Sequence, residues 1–240
     1  MSASVREAGS GRRGSRVWLV AVAAVVGLQV TAPPASAAAP VKVMPLGDSI
    51  TDGDDIPGGY RIELEDLLLE GGHSFDFVGS MQNGWGSLFD VDHEGHGGWR
   101  IDQITAKVET WLATEQPDVV LLKIGTNDVL QSYDMANAPR RLSELLDRIA
   151  TAAPSASILV STITPLADTR QNDKVRTFNA ALPAIVNDKV GAGSDVELVD
   201  NYAALTTDDL LDGTHPDAGG YGKMATVWYS ALGGVLPAPK

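Results

Sequence analysis

Short apolar segments alternate along the chain with segments whose apolar residues recur at helical spacing. The clearest apolar segment, Asp118–Ile124, is apolar at nearly every position, which is typical of a strand buried on both faces. The predicted strands are Val41–Leu46, Phe75–Val78, Asp118–Ile124, Ser157–Ser161 and Val196–Val199. The predicted helices are Tyr60–Glu70, Ile101–Thr114, Pro139–Ala152, Asp173–Val190 and Ala218–Leu232, the fourth kinked or divided at Pro183. This alternation predicts an α/β fold with a parallel sheet of about five strands and helices on both faces.

The first 37 residues have the pattern of a secretory signal peptide. Arginines up to Arg16 precede the apolar run Val17–Val30, and the small-x-small sequence Ala35-Ser36-Ala37 follows. We predict cleavage after Ala37, a secreted extracellular protein, and one domain over residues 38–240. An uncleaved membrane anchor is the disfavoured alternative, because the apolar run is short for a span of ~20 residues.

The composition limits the kinds of binding partner and of metal or disulfide site that the chain can have. The net charge of −13 disfavours nucleic acid and anionic membranes. We interpret it first as the charge that keeps a secreted protein soluble, and it also fits a neutral polymeric substrate better than a polyanion. The absence of cysteine excludes disulfides, thiol chemistry and cysteine-based zinc sites. The sequence His93-Glu94-Gly95-His96 lacks the spacing of a helical zinc motif, so we expect no metal and no cofactor. A structural Ca²⁺ on one of the acidic loops stays open at this stage.

Two polar motifs directly follow predicted strands. Gly47-Asp48-Ser49 ends the first strand, and a serine in that position becomes nucleophilic if a base removes its proton. Gly125-Thr126-Asn127-Asp128 ends the third strand, where Asn127 either presents its amide as an oxyanion donor or closes an Asx-turn. Because ligands bind beyond the carboxyl ends of parallel strands, we expect Ser49 and Asn127 to share one rim.

Two further motifs supply the remaining chemistry. In Asp212-Gly213-Thr214-His215-Pro216, the carboxylate can fold back and fix the tautomer of the imidazole. In Gly97-Gly98-Trp99-Arg100, a glycine N–H can approach a substrate closely. This second motif ends Gly79–Arg100, a stretch without helical or strand period, and loops of that length usually carry function.

Together the four motifs resemble the SGNH hydrolases, also called GDSL esterases. That family has Gly-Asp-Ser near its N-terminus, then a glycine block, a Gly-x-Asn-Asp block and Asp-x-x-His, in the order found here. The resemblance implies a flavodoxin-like α/β/α sandwich. It also implies Ser49 as nucleophile, His215 as general base and Asp212 as the residue that orients the imidazole. The implied oxyanion hole consists of the Ser49 and Gly98 backbone N–H groups and the Asn127 side-chain amide.

A finer resemblance is to carbohydrate esterase family 3. It rests on Met44–Thr51, Gly58-Gly59-Tyr60-Arg61, Asp76–Ser80, His93–Trp99 and Asp200–Leu205. The resemblance implies a secreted esterase that removes O-acetyl groups from acetylxylan. Tyr60, Arg61 and Trp99 are candidate substrate contacts, although Trp99 packing under its loop is an equal alternative.

The expected partner is an acetylated polysaccharide or a small acyl ester, with no nucleic acid and no membrane after signal cleavage, and we expect a monomer. One alternative is an esterase or lipase for other short-chain acyl esters. The other is a non-catalytic polysaccharide-binding homologue.

Overall fold

The computed structural model describes residues 1–4, 14 and 39–238. The chain forms two compact units, 1–37 and 38–240. The predicted signal peptide lies almost entirely outside the described residues, so it stays a prediction. Everything below concerns the second unit.

Within residues 39–238, seven strands form one sheet, of which six follow in the order β3-β4-β1-β5-β6-β7 while β2 pairs separately with β1. Their bounds are β1 Val41–Gly47, β2 Phe75–Phe77, β3 Met81–Gln82, β4 Asp92–Gly95, β5 Val119–Lys123, β6 Ser157–Ser161 and β7 Val196–Val199. All neighbours are parallel except β3 and β4, which are antiparallel. Strands β2 and β4 pair with successive parts of the same edge of β1, at Val41–Val43 and Leu46–Gly47 respectively.

In residues 39–238, eight α-helices connect the strands and two more follow the last strand. They are α1 Ser49–Asp52, α2 Tyr60–Glu70, α3 Ile101–Thr105, α4 Val108–Glu115, α5 Thr126–Leu130, α6 Ala138–Ala152, α7 Thr169–Asn179, α8 Leu182–Gly191, α9 Asn201–Ala204 and α10 Ala218–Leu232. Short 3₁₀ turns occupy Met135–Asn137 and Thr207–Asp209.

The core has two layers because alternate strand residues face opposite sides of the sheet. On one side Met44, Val120 and Ile158 pack against α3, α4 and α6–α8. On the other side Val43, Leu121 and Leu159 pack against α2 and α10, where Trp228 is fully buried. The predicted three-layer α/β/α architecture is therefore confirmed. No helix in the described parts of the chain is both long and apolar enough to cross a membrane.

The structure refines the predicted elements in two places. The predicted helix Ile101–Thr114 is two helices, and Pro183 lies in the first turn of α8, where its missing N–H breaks no helical hydrogen bond. Residues 79–100, predicted as a loop without regular structure, contain β3 and β4. Both strands are short and rich in polar residues, so they lack the apolar alternation by which a strand is recognised.

Candidate active site

Ser49 lies at the carboxyl end of β1, on the first residue of α1. Asp48 is the N-cap of this helix, and its side chain accepts a hydrogen bond from the Ile50 N–H at 3.0 Å. Gly47 has no space for a side chain, because a Cβ there would lie 2.2 Å from the Lys123 carbonyl oxygen on β5. Ser49 is largely buried at this tight turn, with 8 % of the residue exposed.

His215 meets Ser49 from a different part of the chain. Its Nε2 lies 2.8 Å from Ser49 Oγ, and its Nδ1 lies 2.9 Å from Asp212 Oδ2. If the Nδ1–H donates to Asp212, Nε2 carries no proton and accepts a hydrogen bond from the serine hydroxyl. The structure therefore brings Ser49, His215 and Asp212 together as one hydrogen-bonded chain.

Asp212 is held by local backbone geometry. Its Oδ1 accepts hydrogen bonds from the backbone N–H groups of Thr214 at 2.8 Å and His215 at 2.7 Å. Partial burial raises the pKa of Asp212, but these two bonds and the imidazole outweigh burial and lower the pKa to about 2. The carboxylate is therefore ionised throughout the range in which the imidazole can act as a base.

The three predicted oxyanion donors follow three adjacent strands. Gly98 comes after β4, Ser49 after β1 and Asn127 after β5, and these strands are neighbours in the order β4-β1-β5. The Asn127 amide donates to the Trp99 carbonyl at 3.0 Å, which leaves its second N–H for another acceptor. Gly98 has φ +77°, a conformation that favours glycine, and open space where a side chain would be.

Trp99 is half-buried, and the His96 ring stacks on its indole ring. The His96 ring contacts both Trp99 and Trp111, with centroids 4.4 Å and 4.7 Å away, and the two tryptophan rings also contact each other at 6.1 Å. His96 Nε2 lies 2.6 Å from the buried Glu94 carboxylate. Glu94 also accepts from the Ser80 N–H and hydroxyl at 2.7 Å and 2.8 Å. These contacts brace the segment that carries Gly98.

The prediction that Tyr60 and Arg61 contact the substrate is not supported by their positions. Both are fully buried, so neither can contact a substrate in this structure. The Tyr60 ring packs on Trp228 between α2 and α10, with centroids 6.0 Å apart. Burial lowers the pKa of Arg61 to about 10, which leaves the guanidinium charged at neutral pH.

Arg61 is instead the anchor of residues 83–92. Its guanidinium donates to the Val91 carbonyl at 3.2 Å and to the Asn83 side-chain oxygen. The Asn83 amide in turn donates to the backbone carbonyl and the carboxylate of Asp52, at 2.8 Å and 2.7 Å. One buried cation therefore ties the long segment before Gly98 to the helix that begins at Ser49.

Two residues near the site were not singled out by the sequence. Lys123 is fully buried and lies 3.6 Å from the Asp48 carboxylate, and it donates to the Thr126 hydroxyl at 2.6 Å. Asp54 Oδ2 lies 3.6 Å from His215 Nε2. A lysine inside an otherwise apolar strand is a usable signal for the first residue, but nothing local distinguishes Asp54 from Asp55. Within the described ranges, no three His, Asp or Glu side chains are grouped so as to hold a metal ion.

The chain was compared with known families and proteins. A family model described as the GDSL-like lipase/acylhydrolase family matches residues 46–223. A multidomain esterase of Ruminococcus flavefaciens is 32 % identical over 231 residues, which cover 85 % of this chain and 30 % of that protein. The chain therefore spans less than a third of that relative.

Two solved structures share fold and sequence with the chain. A family 3 carbohydrate esterase of Clostridium thermocellum has a TM-score of 0.74 and 39 % identity, covering 82 % of this chain and 99 % of its own. A family 3 carbohydrate esterase of Talaromyces cellulolyticus has a TM-score of 0.73 and 31 % identity, covering 81 % and 97 % respectively. These likenesses confirm the predicted resemblance. The chain belongs to the GDSL-like lipase/acylhydrolase family of carboxylic ester hydrolases.

Proposed function

We propose that the chain is a serine esterase that removes acetyl groups from an acetylated plant-wall polysaccharide such as acetylxylan. The observation that carries the proposal is the 2.8 Å contact between Ser49 Oγ and His215 Nε2, with Asp212 on the other imidazole nitrogen. This arrangement supplies a hydroxyl, a base in hydrogen-bond reach of it, and a carboxylate that fixes the base.

The reaction has two acyl-transfer steps. In the first step His215 Nε2 takes the Ser49 proton while Oγ bonds to the ester carbonyl carbon. The tetrahedral intermediate then collapses, and the imidazolium returns the proton to the departing sugar oxygen. In the second step a water molecule loses a proton to His215 and attacks the acetyl-serine. Acetate leaves, and the proton returns to Ser49 Oγ, so the enzyme is regenerated.

The developing oxyanion needs donors that are fixed before the reaction. We assign this role to the Ser49 and Gly98 backbone N–H groups and the Asn127 amide. Ser49 lies at the N-terminus of α1, where backbone N–H groups have no intrahelical partner. Asn127 holds its orientation through the bond to the Trp99 carbonyl, so it need not be reorganised when charge develops.

A neutral polysaccharide suits the charge of the molecule. The net charge of −13 and the exposed carboxylates of Asp54 and Asp212 beside His215 disfavour polyanionic substrates. The two structural relatives are both carbohydrate esterases, which supports the same substrate class.

The test is acetate release from acetylated xylan, measured for the wild type and for Ser49→Ala. We expect release by the wild type and background release by the variant. Matched esters of longer acids, assayed in parallel, report acyl preference. Faster cleavage of a longer ester than of the acetate would replace this proposal with a short-chain lipase. Binding of xylan without hydrolysis by the wild type would indicate a non-catalytic binder.

We propose further that the protein is secreted after removal of residues 1–37. The support is the arginine-rich start, the apolar run and the Ala35-Ser36-Ala37 site. N-terminal sequencing of the protein from the medium of an expressing bacterial culture should begin at Ala38. Recovery of the intact chain in the membrane fraction would contradict cleavage.

A further inference from the structure

A second carboxylate faces the imidazole on the side where the serine lies. Asp54 Oδ2 is 3.6 Å from His215 Nε2, the same nitrogen that contacts Ser49 Oγ. This separation is too long for a direct hydrogen bond but leaves the carboxylate beside the path of the transferred proton. The Asp54 side chain is 53 % exposed, so it is open to a ligand in the cleft.

The backbone fixes Asp54 relative to Ser49. Gly53, with φ +101°, donates its N–H to the Ser49 carbonyl at 2.7 Å and accepts from the Ile56 N–H at 2.6 Å. Asp54 itself has φ +30°, a region that a residue with a Cβ rarely occupies. A Cβ on Gly53 would lie 2.4 Å from the Ile56 carbonyl oxygen, so the turn has no room to relax around that position.

We propose that Asp54 accepts a hydrogen bond from the free sugar hydroxyl next to the acetylated oxygen. This proposal rests on the proposed esterase function. When the ester bond breaks, the departing sugar oxygen takes a proton from His215 Nε2 and therefore lies within hydrogen-bond distance of that nitrogen. Neighbouring oxygens of a sugar ring are about one hydrogen-bond length apart.

A carboxylate 3.6 Å from Nε2 is then within reach of the neighbouring hydroxyl. Asp54 would thus favour esters that have a free hydroxyl on the carbon next to the one that carries the acetylated oxygen. A hydroxyl that donates to a carboxylate forms one of the stronger hydrogen bonds. Losing such a bond costs about tenfold to a hundredfold in binding.

Asp55 provides a matched control. It follows Asp54 on the same turn, is exposed, and carries the same charge. Replacing either residue by asparagine removes one negative charge from the turn, but only the Asp54 change alters the group beside His215. The pair therefore separates a specific contact from a general change in potential.

The experiment measures kcat/KM of the wild type, Asp54→Asn and Asp55→Asn on two substrates. One is a methyl β-xyloside with a single acetyl group at O3. The other is the same ester with both neighbouring hydroxyls replaced by hydrogen. We expect the wild type and Asp55→Asn to prefer the hydroxylated ester by about tenfold or more. Asp54→Asn should keep only a weaker preference, because its amide oxygen accepts a neutral hydrogen bond about half as strong as one to the carboxylate.

Two outcomes overturn the assignment of Asp54. One is an intact preference in Asp54→Asn; if its rate falls equally on both substrates, Asp54 acts only on His215. The other is an equal loss of preference in both variants. If the wild type hydrolyses neither ester, the esterase function fails as well. Activity of the wild type on both esters, absent in Ser49→Ala, confines any failure to Asp54.

Discussion

The two sides of the candidate site are held in different ways. The serine turn, residues 47–53, is fixed by buried groups, with Asp48 and Lys123 fully buried beneath it and Gly47 pressed against β5. The histidine loop, residues 211–217, is fixed by short-range hydrogen bonds near the surface, and the Asp212 side chain is 46 % exposed. Changes to the serine turn should therefore lower stability, whereas changes to the histidine loop should lower activity and leave stability nearly unchanged.

The largest effect should come from Asp212→Asn. The asparagine oxygen keeps the two backbone N–H bonds of Asp212 Oδ1, so the amide NH2 faces Nδ1 and donates to it. The imidazole proton then lies on Nε2, which can no longer take the serine proton, and kcat on a small acetyl ester should fall by about 10³-fold to 10⁴-fold. The melting temperature should change little, because the side chain is half exposed. Asp208→Asn, on the preceding 3₁₀ turn, is the control and should retain full kcat. A large loss of melting temperature in Asp212→Asn would remove the contrast between the two sides.

Lys123→Met, in contrast, should lower the stability of the protein. Burial lowers the pKa of Lys123, while the Asp48 carboxylate at 3.6 Å opposes that shift. Without the lysine, Asp48 is a buried carboxylate with no cation, which costs about 3–5 kcal/mol in the free energy of unfolding. Urea denaturation measures the loss. The double variant Asp48→Asn, Lys123→Met should recover part of it, and a single-variant loss below about 1 kcal/mol would mean that the pair does not stabilise the turn.

Asn127→Ala tests whether the Asn127 side-chain amide donates a hydrogen bond to the oxyanion. If the amide stabilises the oxyanion, kcat should fall by about 10²-fold to 10³-fold with a small change in KM. Asn187→Ala, at an exposed position of α8, controls for loss of an amide elsewhere. An unchanged kcat in Asn127→Ala would exclude this residue from the oxyanion hole.

The smallest expected effect is a pH dependence of stability caused by His93, which lies next to the serine turn. Burial, with help from the Arg61 and His96 charges, lowers the pKa of His93 to about 3. Its Nε2 lies 3.6 Å from Asp52 Oδ1 on α1. Between the usual histidine pKa of about 6.5 and pH 3, the unfolded chain binds a proton that the folded chain does not.

His93 therefore stabilises the fold least at low pH, and its contribution to the free energy of unfolding should fall by about 1 kcal/mol per pH unit below 6.5. Urea denaturation at several pH values measures it as the difference in slope between the wild type and His93→Asn. The difference is needed because burial raises the pKa of Asp52, Asp90 and Asp128, which acts in the opposite direction. Equal slopes in the two proteins would show that His93 does not titrate in this way.

The contrast between the two sides also explains which predictions succeeded. Three of the five predicted strands, β1, β5 and β6, were predictable because they are buried on both faces and are therefore apolar at nearly every position. Strand β4 was missed because its sequence, Asp-His-Glu-Gly, is polar, although three of its four residues are buried. The Glu94 carboxylate is satisfied by Ser80 and His96, which the sequence places near Glu94 without showing the contacts.

The candidate site shows the same division. Ser49, Asn127, Asp212 and His215 are each part of a local motif, so their identity could be predicted from short stretches of chain. Tyr60 and Arg61 also belong to a recognisable stretch, but their burial depends on α10 and residues 83–92 packing over them. A motif reports which residues occur together, and it does not report which of them face solvent.

The sequence alone determined the alternation of strands and helices, the four motifs and the order in which they occur, because each depends on neighbours within a few residues. Only the tertiary structure decided which side chains meet. Ser49 and His215 are 166 positions apart, and Asp54 approaches the same imidazole across a similar separation. Contacts at that range follow from how the elements pack against the sheet, which no local pattern of residues encodes.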